Sequence, residues 1–322
     1  MAQDTSKIAV VYIADRNYHL LTLYSLASFA RAHCEPLDFY FMQSDYSEPV
    51  PLACQQLVES CNHNLMVMEA PLLAPSYAIR DVGHVTKATF LKVAAVEVFV
   101  EKYKYILYVD GDILALGDPH LYSFANFSET VAACLDLSNA TGFDDPTFFA
   151  NCKASNFSTH YFNAGVIFIN AKRWVETRVG QRFADSLERH ATRCPYFRAC
   201  APNDQCALNM TLSGDSKLLP TRFNVQKSAL HTSAWTNATL RHYTGRKKFL
   251  PMRMWRCDQR EHALLCLLNR KLALGSALGL YDGGISYAFN KVRRRKFVAK
   301  CKRAISLIEV GQTAKLSQEL LV

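Results

Sequence analysis

The stretch that most constrains the fold is 104–117, KYILYVDGDILALG. Tyr105 to Val109 form a continuous run of strand-forming apolar and aromatic residues. So short a run suits a strand covered on both faces, as in a parallel sheet. It ends in Asp110, Gly111 and Asp112, and a second apolar run follows at once. Two carboxylates between apolar runs are costly to bury without an offsetting positive charge, and a divalent cation is the simplest one. Side chains at i and i+2 of an extended chain project to the same side, so Asp110 and Asp112 can converge on one ion. Gly111 leaves room between them for another backbone or a ligand. An Asp-Gly pair also suits a tight turn, and the rest of the chain has to separate the two readings.

Residues 8–14 (IAVVYIA) form another buried-strand run that ends at a carboxylate, Asp15, with Asn17 and Tyr18 beyond it. Helical spacing over 19–32 follows, with Leu20, Leu23, Tyr24, Ala27 and Ala30 on a partly apolar face. Residues 37–42 and 65–69 read as short strands flanking a helix over 50–61. This alternation predicts a doubly wound α/β sheet. Ligands of such sheets bind beyond the carboxyl ends of the strands, where Ala14, Asp15 and the Asp110–Asp112 pair fall. No Gly-x-Gly-x-x-Gly follows the first strand and no Gly-Lys-Ser/Thr loop occurs, which argues against an ordinary dinucleotide site or a P-loop.

Further along, 85–100 predicts a helix leading into the central strand, and 131–135 a strand ending at Asp136. Residues 139–160 read as a long irregular insertion of the kind that covers a site. A strand over 161–170 opens with Asn163, Ala164 and Gly165, and helical spacing runs over 172–190. A helix over 203–212 carries Asp204 and Gln205 in its first turn, where an aspartate also suits a cap. Short strands are expected over 218–220 and 240–243; the second holds His242 and leads into Gly245, Arg246, Lys247 and Lys248.

At 322 residues the chain can form one large α/β domain with an appendage. We expect a catalytic domain over 1–250 and a small basic helical region over 251–322. No apolar stretch is long enough for a membrane-spanning helix. The N-terminal residues lack the basic start and apolar core of a signal peptide, so a cytoplasmic location is expected. The Asn-x-Ser/Thr triplets at Asn126, Asn139, Asn156, Asn209 and Asn237 are then chance matches. The eleven cysteines include no Cys-x-x-Cys pair and read as reduced, mostly core-filling thiols. The even spacing of Cys194, Cys200 and Cys206 fits no zinc pattern.

The net charge of +9 is concentrated near the C-terminus. Lys291, Arg293, Arg294, Arg295, Lys296, Lys300, Lys302 and Arg303 lie there without an acidic residue among them. Setting these aside leaves 29 of the 37 basic residues against 28 acidic ones. A nearly neutral body argues against a nucleic-acid groove. In helical register Ile285, Phe289, Val292, Val298, Cys301 and Ile305 mark an irregular apolar stripe among these basic residues. Such a composition fits an amphipathic helix lying on an anionic membrane surface, here the inner face of the cytoplasmic membrane. The rival is a solvated helix packed on the catalytic domain.

Taken in order, IADRNY at 13–18, YILYVDGDI at 105–113, YFNAGVIFIN at 161–170, NDQCALN at 203–209 and HYTG at 242–245 resemble the family 8 glycosyltransferases. The likeness covers residues 8–250. It implies a GT-A fold, a Rossmann-like mixed sheet flanked by helices. It also implies retaining transfer of a hexose from UDP-glucose or UDP-galactose with a divalent metal, Mn2+ or Mg2+. The implied acceptor is a glycan or glycolipid, as in lipopolysaccharide or lipooligosaccharide assembly. By the same likeness Asp110, Asp112 and His242 hold the metal, and two carboxylates with an imidazole suit manganese. Gly111 lies within that motif. Ala14, Asp15, Asn17 and Tyr18 match positions at the uridine, with Tyr18 able to stack on the base. Gly245 and Lys248 match the diphosphate loop. Asp136, Asn163, Asp204 and Gln205 match positions around the donor sugar, and Gln205, Asp204 and Asp136 are the candidates for the chemistry.

Two departures from the family pattern stand out. Lys92 occupies the place where an arginine is common, keeping the charge and losing the bidentate fork. After HYTG the chain has Arg246, Lys247, Lys248 and Phe249 in place of a proline and Lys-Pro-Trp; Lys248 fits the spacing better than Lys247. A sugar nucleotidyltransferase would carry a glycine- and arginine-rich loop after the first strand, which IADRNYHL lacks. An inactive glycan-binding protein is the remaining rival, yet all three matching metal positions are intact.

Overall fold

A computed structural model describes residues 8–71, 90–137, 146–197, 200, 204–245, 248–249, 258–273 and 285–319. Its strands are β1 (Ile8–Ala14), β2 (Leu37–Gln43), β3 (Asn64–Glu69), β4 (Tyr105–Val109), β5 (Ile113–Ala115), β6 (Val131–Leu135), β7 (Phe162–Asn170), β8 (Ser216–Leu218), β9 (Val225–Gln226) and β10 (Leu240–His242). Its helices are α1 (His19–Ala32), α2 (Leu52–Ser60), α3 (Leu91–Glu97), α4 (Pro146–Ser155), α5 (Ala171–Glu176), α6 (Val179–Thr192), α7 (Asp204–Thr211), α8 (Ser233–Thr236), α9 (Gln259–Leu272), α10 (Ile285–Arg293) and α11 (Arg295–Glu319).

The main sheet has seven strands in the order β3-β2-β1-β4-β7-β6-β8, and a small sheet runs β5-β10-β9. β3, β2, β1 and β4 are parallel, and β7 runs antiparallel to both β4 and β6. The sheet is therefore mixed, as expected. Strand alternation divides its side chains between two cores. Ile8, Val10, Tyr12 and Ala14 of β1 join Tyr105, Leu107 and Val109 of β4 on one face, under α1, α2, α9 and α11. Ala9, Val11 and Ile13 join Ile106 and Tyr108 on the other, under α3, α5, α6 and α7. Burial on both faces explains why 8–14 and 105–109 read as continuous apolar runs.

Several local expectations need correction. Within 85–100, α3 accounts for the described part, and 72–89 lie outside the described residues. The insertion over 139–160 is not wholly irregular, because α4 occupies 146–155; residues 138–145 lie outside the described residues. The single helix expected over 172–190 is two, α5 and α6, with Arg178 at a left-handed φ of 51° between them. The third strand of the C-terminal half is 216–218 rather than 218–220.

The C-terminal apolar stripe also divides. Val298, Cys301 and Ile305 of α11 are buried, and Ala304, Ile305 and Ile308 join the same core as β1 and α1. The Cys301 thiol donates to the Ser228 carbonyl at 3.1 Å. In α10, by contrast, Ile285, Phe289 and Val292 are 74%, 72% and 69% exposed. α10 is held instead through Tyr287 and Asn290. Tyr287 packs on the His231 ring at 4.4 Å between centroids, and the Asn290 amide lies 2.6 Å from His231 Nε2. No helix among the described residues is long and apolar enough to cross a membrane.

Candidate active site

The carboxyl ends of β1 and β4 and the small sheet meet at one place. Asp110 follows β4 directly, and its backbone N–H donates to the Gly165 carbonyl of β7 at 2.8 Å. Asp112 precedes β5, whose Ile113 pairs with His242 of β10. The Tyr243 N–H closes on the Asp112 carbonyl at 3.0 Å. This hairpin-like pairing carries His242 across the fold to the carboxylates. Its Nε2 lies 3.2 Å from Asp112 Oδ1 and 3.7 Å from Asp110 Oδ2. One ligand atom from each of the three residues falls within 4.8 Å of the others.

The Lys248 ammonium donates to Asp112 Oδ2. Burial alone would raise the Asp112 carboxyl, but Lys248 and His242 outweigh it and hold the group below the usual carboxylate range. Burial likewise opposes the charge on Lys248, and Asp112 more than restores it, so its ammonium loses its proton less readily than usual. Lys248 also stands 5.3 Å over the Tyr18 ring. Asp15 Oδ1 accepts from the Tyr18 N–H at 3.0 Å, which fixes the turn into α1. Ala14 is buried at the end of β1, and Asn17 is exposed beyond it. Gly245 has φ +78°, a conformation that favours glycine, and a Cβ there would sit 3.7 Å from the Lys227 ammonium. Arg246 and Lys247 lie outside the described residues.

A second group of polar residues lies beside the first. Gln205, in the first turn of α7, donates through Nε2 to Asp136 Oδ2 at 2.6 Å. Its Oε1 accepts from the Asn163 side chain and the Ala164 N–H, both at 3.1 Å. Asn163 in turn donates to Asp136 Oδ2 at 3.0 Å. Lys92 of α3 is buried against Asp204 Oδ2 at 2.6 Å and Asp110 Oδ1 at 3.9 Å, and it donates to the Ala164 carbonyl at 3.2 Å. Burial works against the Lys92 charge, but these carboxylates hold it above the ordinary lysine value. Burial pushes the Asp204 carboxyl up, and Lys92 limits the rise. Lys92 thus reaches the site by bridging Asp204 and Asp110.

Two further residues complete the arrangement, and neither was a sequence candidate for the site. Asn224 accepts from His242 Nδ1 at 3.0 Å and donates through Nδ2 to Asn163 Oδ1 at 2.8 Å. That bond fixes the imidazole with Nε2 turned to the carboxylates and joins the two polar groups into one network. Nothing in the sequence around Asn224 announces this, since it lies in a short link between elements. Gly165 was noted only as part of a strand. A Cβ there would fall 2.2 Å from His242 Cε1 and 2.9 Å from Asp110 Oδ2, so the cluster can close only over a glycine. Gly111 has a comparable reason: a Cβ would meet Thr22 Oγ1 of α1 at 2.0 Å. The close approach expected at Gly111 is that of helix α1.

The described cysteines are free thiols, as expected, and four ligand-bearing residues among them and beside them come together. His190, Cys194, Cys200 and Cys206 bring one ligand atom each within 4.8 Å of the others, a convergence that their spacing in the chain did not suggest. None of the described cysteines forms a disulfide.

A mixed sheet with paired aspartates and a histidine at its carboxyl edge defines an α/β protein of the GT-A class. Residues 9–249 match the pattern of glycosyl transferase family 8, and the chain belongs to that family. A lipopolysaccharide 1,2-glucosyltransferase of Escherichia coli is 24% identical over 135 residues, 42% of this chain and 38% of that protein. The galactosyltransferase LgtC, solved with donor and acceptor sugar analogs, matches with a TM-score of 0.59 and 18% identity, over 86% of this chain and 100% of LgtC. The bifunctional glycosyltransferase WbbM in its apo form matches with a TM-score of 0.63 and 17% identity, over 85% of this chain and 52% of WbbM. The chain thus spans about half of WbbM and less than half of the glucosyltransferase that it matches.

Proposed function

We propose that the protein is a metal-dependent, retaining hexosyltransferase. In this reading it moves glucose or galactose from a UDP-sugar to a glycan acceptor in lipopolysaccharide or lipooligosaccharide assembly. The observation that carries it is the convergence of Asp110, Asp112 and His242 at the carboxyl edge of the sheet, inside the matched family region. Two carboxylates and an imidazole suit a manganese or magnesium ion, with positions left for diphosphate oxygens. Such an ion, when bound, would neutralise charge on the leaving diphosphate. Lys248 then turns from Asp112 to the phosphates beside Gly245. Asp15, Asn17, Ala14 and Tyr18 hold the uridine, Tyr18 by stacking. The names of the relatives, a lipopolysaccharide glucosyltransferase and a galactosyltransferase, support the sugar and acceptor classes.

At the sugar, Asn163 and Gln205 provide amides, and Asp136 orients Gln205. Asp204 is paired with Lys92, and Asp136 accepts from Asn163 and Gln205. With both carboxylates engaged, same-face departure and attack is favoured over a carboxylate nucleophile. The acceptor hydroxyl gives its proton to a donor phosphate oxygen, its oxygen bonds the anomeric carbon, and the UDP oxygen leaves. The test is UDP release from a panel of UDP-sugars with manganese, with and without acceptor glycan. Release from UDP-glucose or UDP-galactose, stimulated by acceptor, is the expected result. Pyrophosphate release from UTP and a sugar phosphate would instead identify a nucleotidyltransferase, and inertness toward every UDP-sugar a glycan-binding protein.

The exposed Ile285, Phe289 and Val292 of α10, with Lys291, Arg293, Arg295 and Lys296 beside them, support contact with an anionic membrane. Near such a surface each Lys or Arg contributes about 1 kcal/mol. Because Ala304, Ile305 and Ile308 of α11 enter the core, the test is substitution rather than truncation. Sedimentation with anionic vesicles should fall for the Ile285→Ser, Phe289→Ser, Val292→Ser triple variant and at high salt. Undiminished sedimentation of that variant would rule out α10 as the anchor.

A further inference from the structure

Outside the donor site, another set of ligand-bearing side chains converges where α6 ends and α7 begins. His190 lies in the last turn of α6, Cys194 and Cys200 in the connection, and Cys206 in the first turn of α7. Cys200 Sγ is 3.4 Å from His190 Nε2 and 3.6 Å from Cys206 Sγ, and Cys194 Sγ is 3.9 Å from Cys206 Sγ. A tetrahedral zinc with bonds of about 2.3 Å to sulfur and about 2.0 Å to nitrogen has S···S edges of about 3.8 Å and S···N edges of about 3.5 Å. The three distances lie within a few tenths of an ångström of those edges.

The surroundings also suit thiolates. The Phe197 N–H points at Cys194 Sγ at 3.4 Å, and the Tyr161 hydroxyl lies 3.0 Å from Cys206 Sγ, so hydrogen-bond donors face two of the sulfurs. Phe148, Tyr161, Tyr196 and Met210 enclose the cluster with Cys152 as a small separate core. Three sulfurs and an imidazole form a soft donor set, unlike the oxygen-rich set of the donor site, and favour Zn2+ over Mn2+. Four protein ligands leave no open position, which makes a structural site rather than a catalytic one.

We propose that His190, Cys194, Cys200 and Cys206 bind a structural Zn2+ that ties the end of α6 to the start of α7. Binding releases the thiol protons to solvent and leaves three thiolates and a neutral imidazole on the ion. Asp204 and Gln205 open α7 immediately before Cys206. The zinc therefore fixes the first turn of α7, from which Gln205 reaches Asp136. Its effect on transfer rests on the donor-site reading above; the zinc site itself does not.

The experiment is zinc analysis of the full chain, purified under reducing conditions and dialysed against EDTA to strip weakly held ions. We expect about one zinc per chain. Cobalt substituted into the site should show intense tetrahedral d–d bands and thiolate-to-cobalt charge transfer, which an aspartate–histidine site cannot give. The Cys194→Ser, Cys200→Ser double variant should lose both zinc and bands, while Asp112→Asn retains them. Since the double variant can fail by unfolding, the wild-type stoichiometry and cobalt spectrum stand as independent tests. A wild-type chain with no retained zinc and no thiolate-to-cobalt band overturns the proposal. So does a disulfide among these cysteines found by mass spectrometry, or zinc fully retained by the double variant.

Discussion

The two ligand clusters are built in opposite ways. Asp110, Asp112 and His242 come from strand ends far apart in sequence, brought together by the pairing of β5 with β10. His190, Cys194, Cys200 and Cys206 all come from residues 190–206, at the end of α6, beyond it and in the first turn of α7. The first set is hard, sits at the sheet's ligand-binding edge and is supported by a polar network. The second is soft and enclosed by aromatic rings. The first cluster draws on the topology of the whole fold, whereas the second draws on residues 190–206 alone.

The largest expected effect separates the two most sharply. Asp112→Asn should lower transfer by about 10²- to 10³-fold, the scale on which loss of one charge-stabilising group acts. The amide keeps the shape and loses the charge, so folding by circular dichroism and zinc content should not change. Loss of zinc in this variant would show that the clusters are not independent.

Next in size is the support beneath the histidine. Asn224→Ala frees the His242 ring and should weaken manganese binding about 10- to 100-fold, measured by titration in the absence of nucleotide. Unchanged affinity would mean that packing against Gly165 alone positions the imidazole.

A smaller effect should appear at the joint between the clusters. Gln205→Ala should reduce kcat about tenfold with little change in donor KM, because its amide acts as charge develops on the sugar. A raised KM with normal kcat would make Gln205 a binding residue only.

The smallest concerns a contact that uses neither cluster. Burial, with Arg294 and Lys291 adding to it, lowers the His231 pKa to about 4, against 6.5 for a free histidine. As pH falls from 6.5 toward 4, the unfolded chain takes up a proton that the folded chain does not. Stability therefore falls with pH across that window, by roughly 1 kcal/mol for each pH unit. Denaturant unfolding of His231→Gln should lack this component, and an unchanged pH slope would contradict it.

The carboxylates of the Asp110–Asp112–His242 cluster and its neighbour Asp15 were legible because they punctuate the sequence, whereas His242 was reached only through the family resemblance. Asp15 ends one buried run and Asp110–Asp112 another, and buried strands that stop at carboxylates are visible without a structure. The same runs predicted the parallel strands β1 to β4, whereas the antiparallel β7 that makes the sheet mixed was implied only by the family resemblance. Asn224 was not legible, since its importance lies in a hydrogen bond to a residue on another strand. Gly165 showed as a strand residue, and only the position of His242 reveals why it lacks a side chain. The cysteine cluster escaped because its spacing matches no zinc pattern and its fourth member, His190, comes from the last turn of α6. The C-terminal stripe misled for a related reason: its residues belong to two helices that turn different faces to the core.

The most direct test of the central claim is calorimetric titration of UDP with and without manganese, in the wild type and in Asp112→Asn. Asp110, Asp112 and His242 should couple the nucleotide to the ion. Manganese should then tighten UDP binding at least about tenfold, or about 1.4 kcal/mol, in the wild type and have no effect in the variant. Equal UDP affinity with and without manganese in the wild type, or equal tightening in Asp112→Asn, would contradict the account.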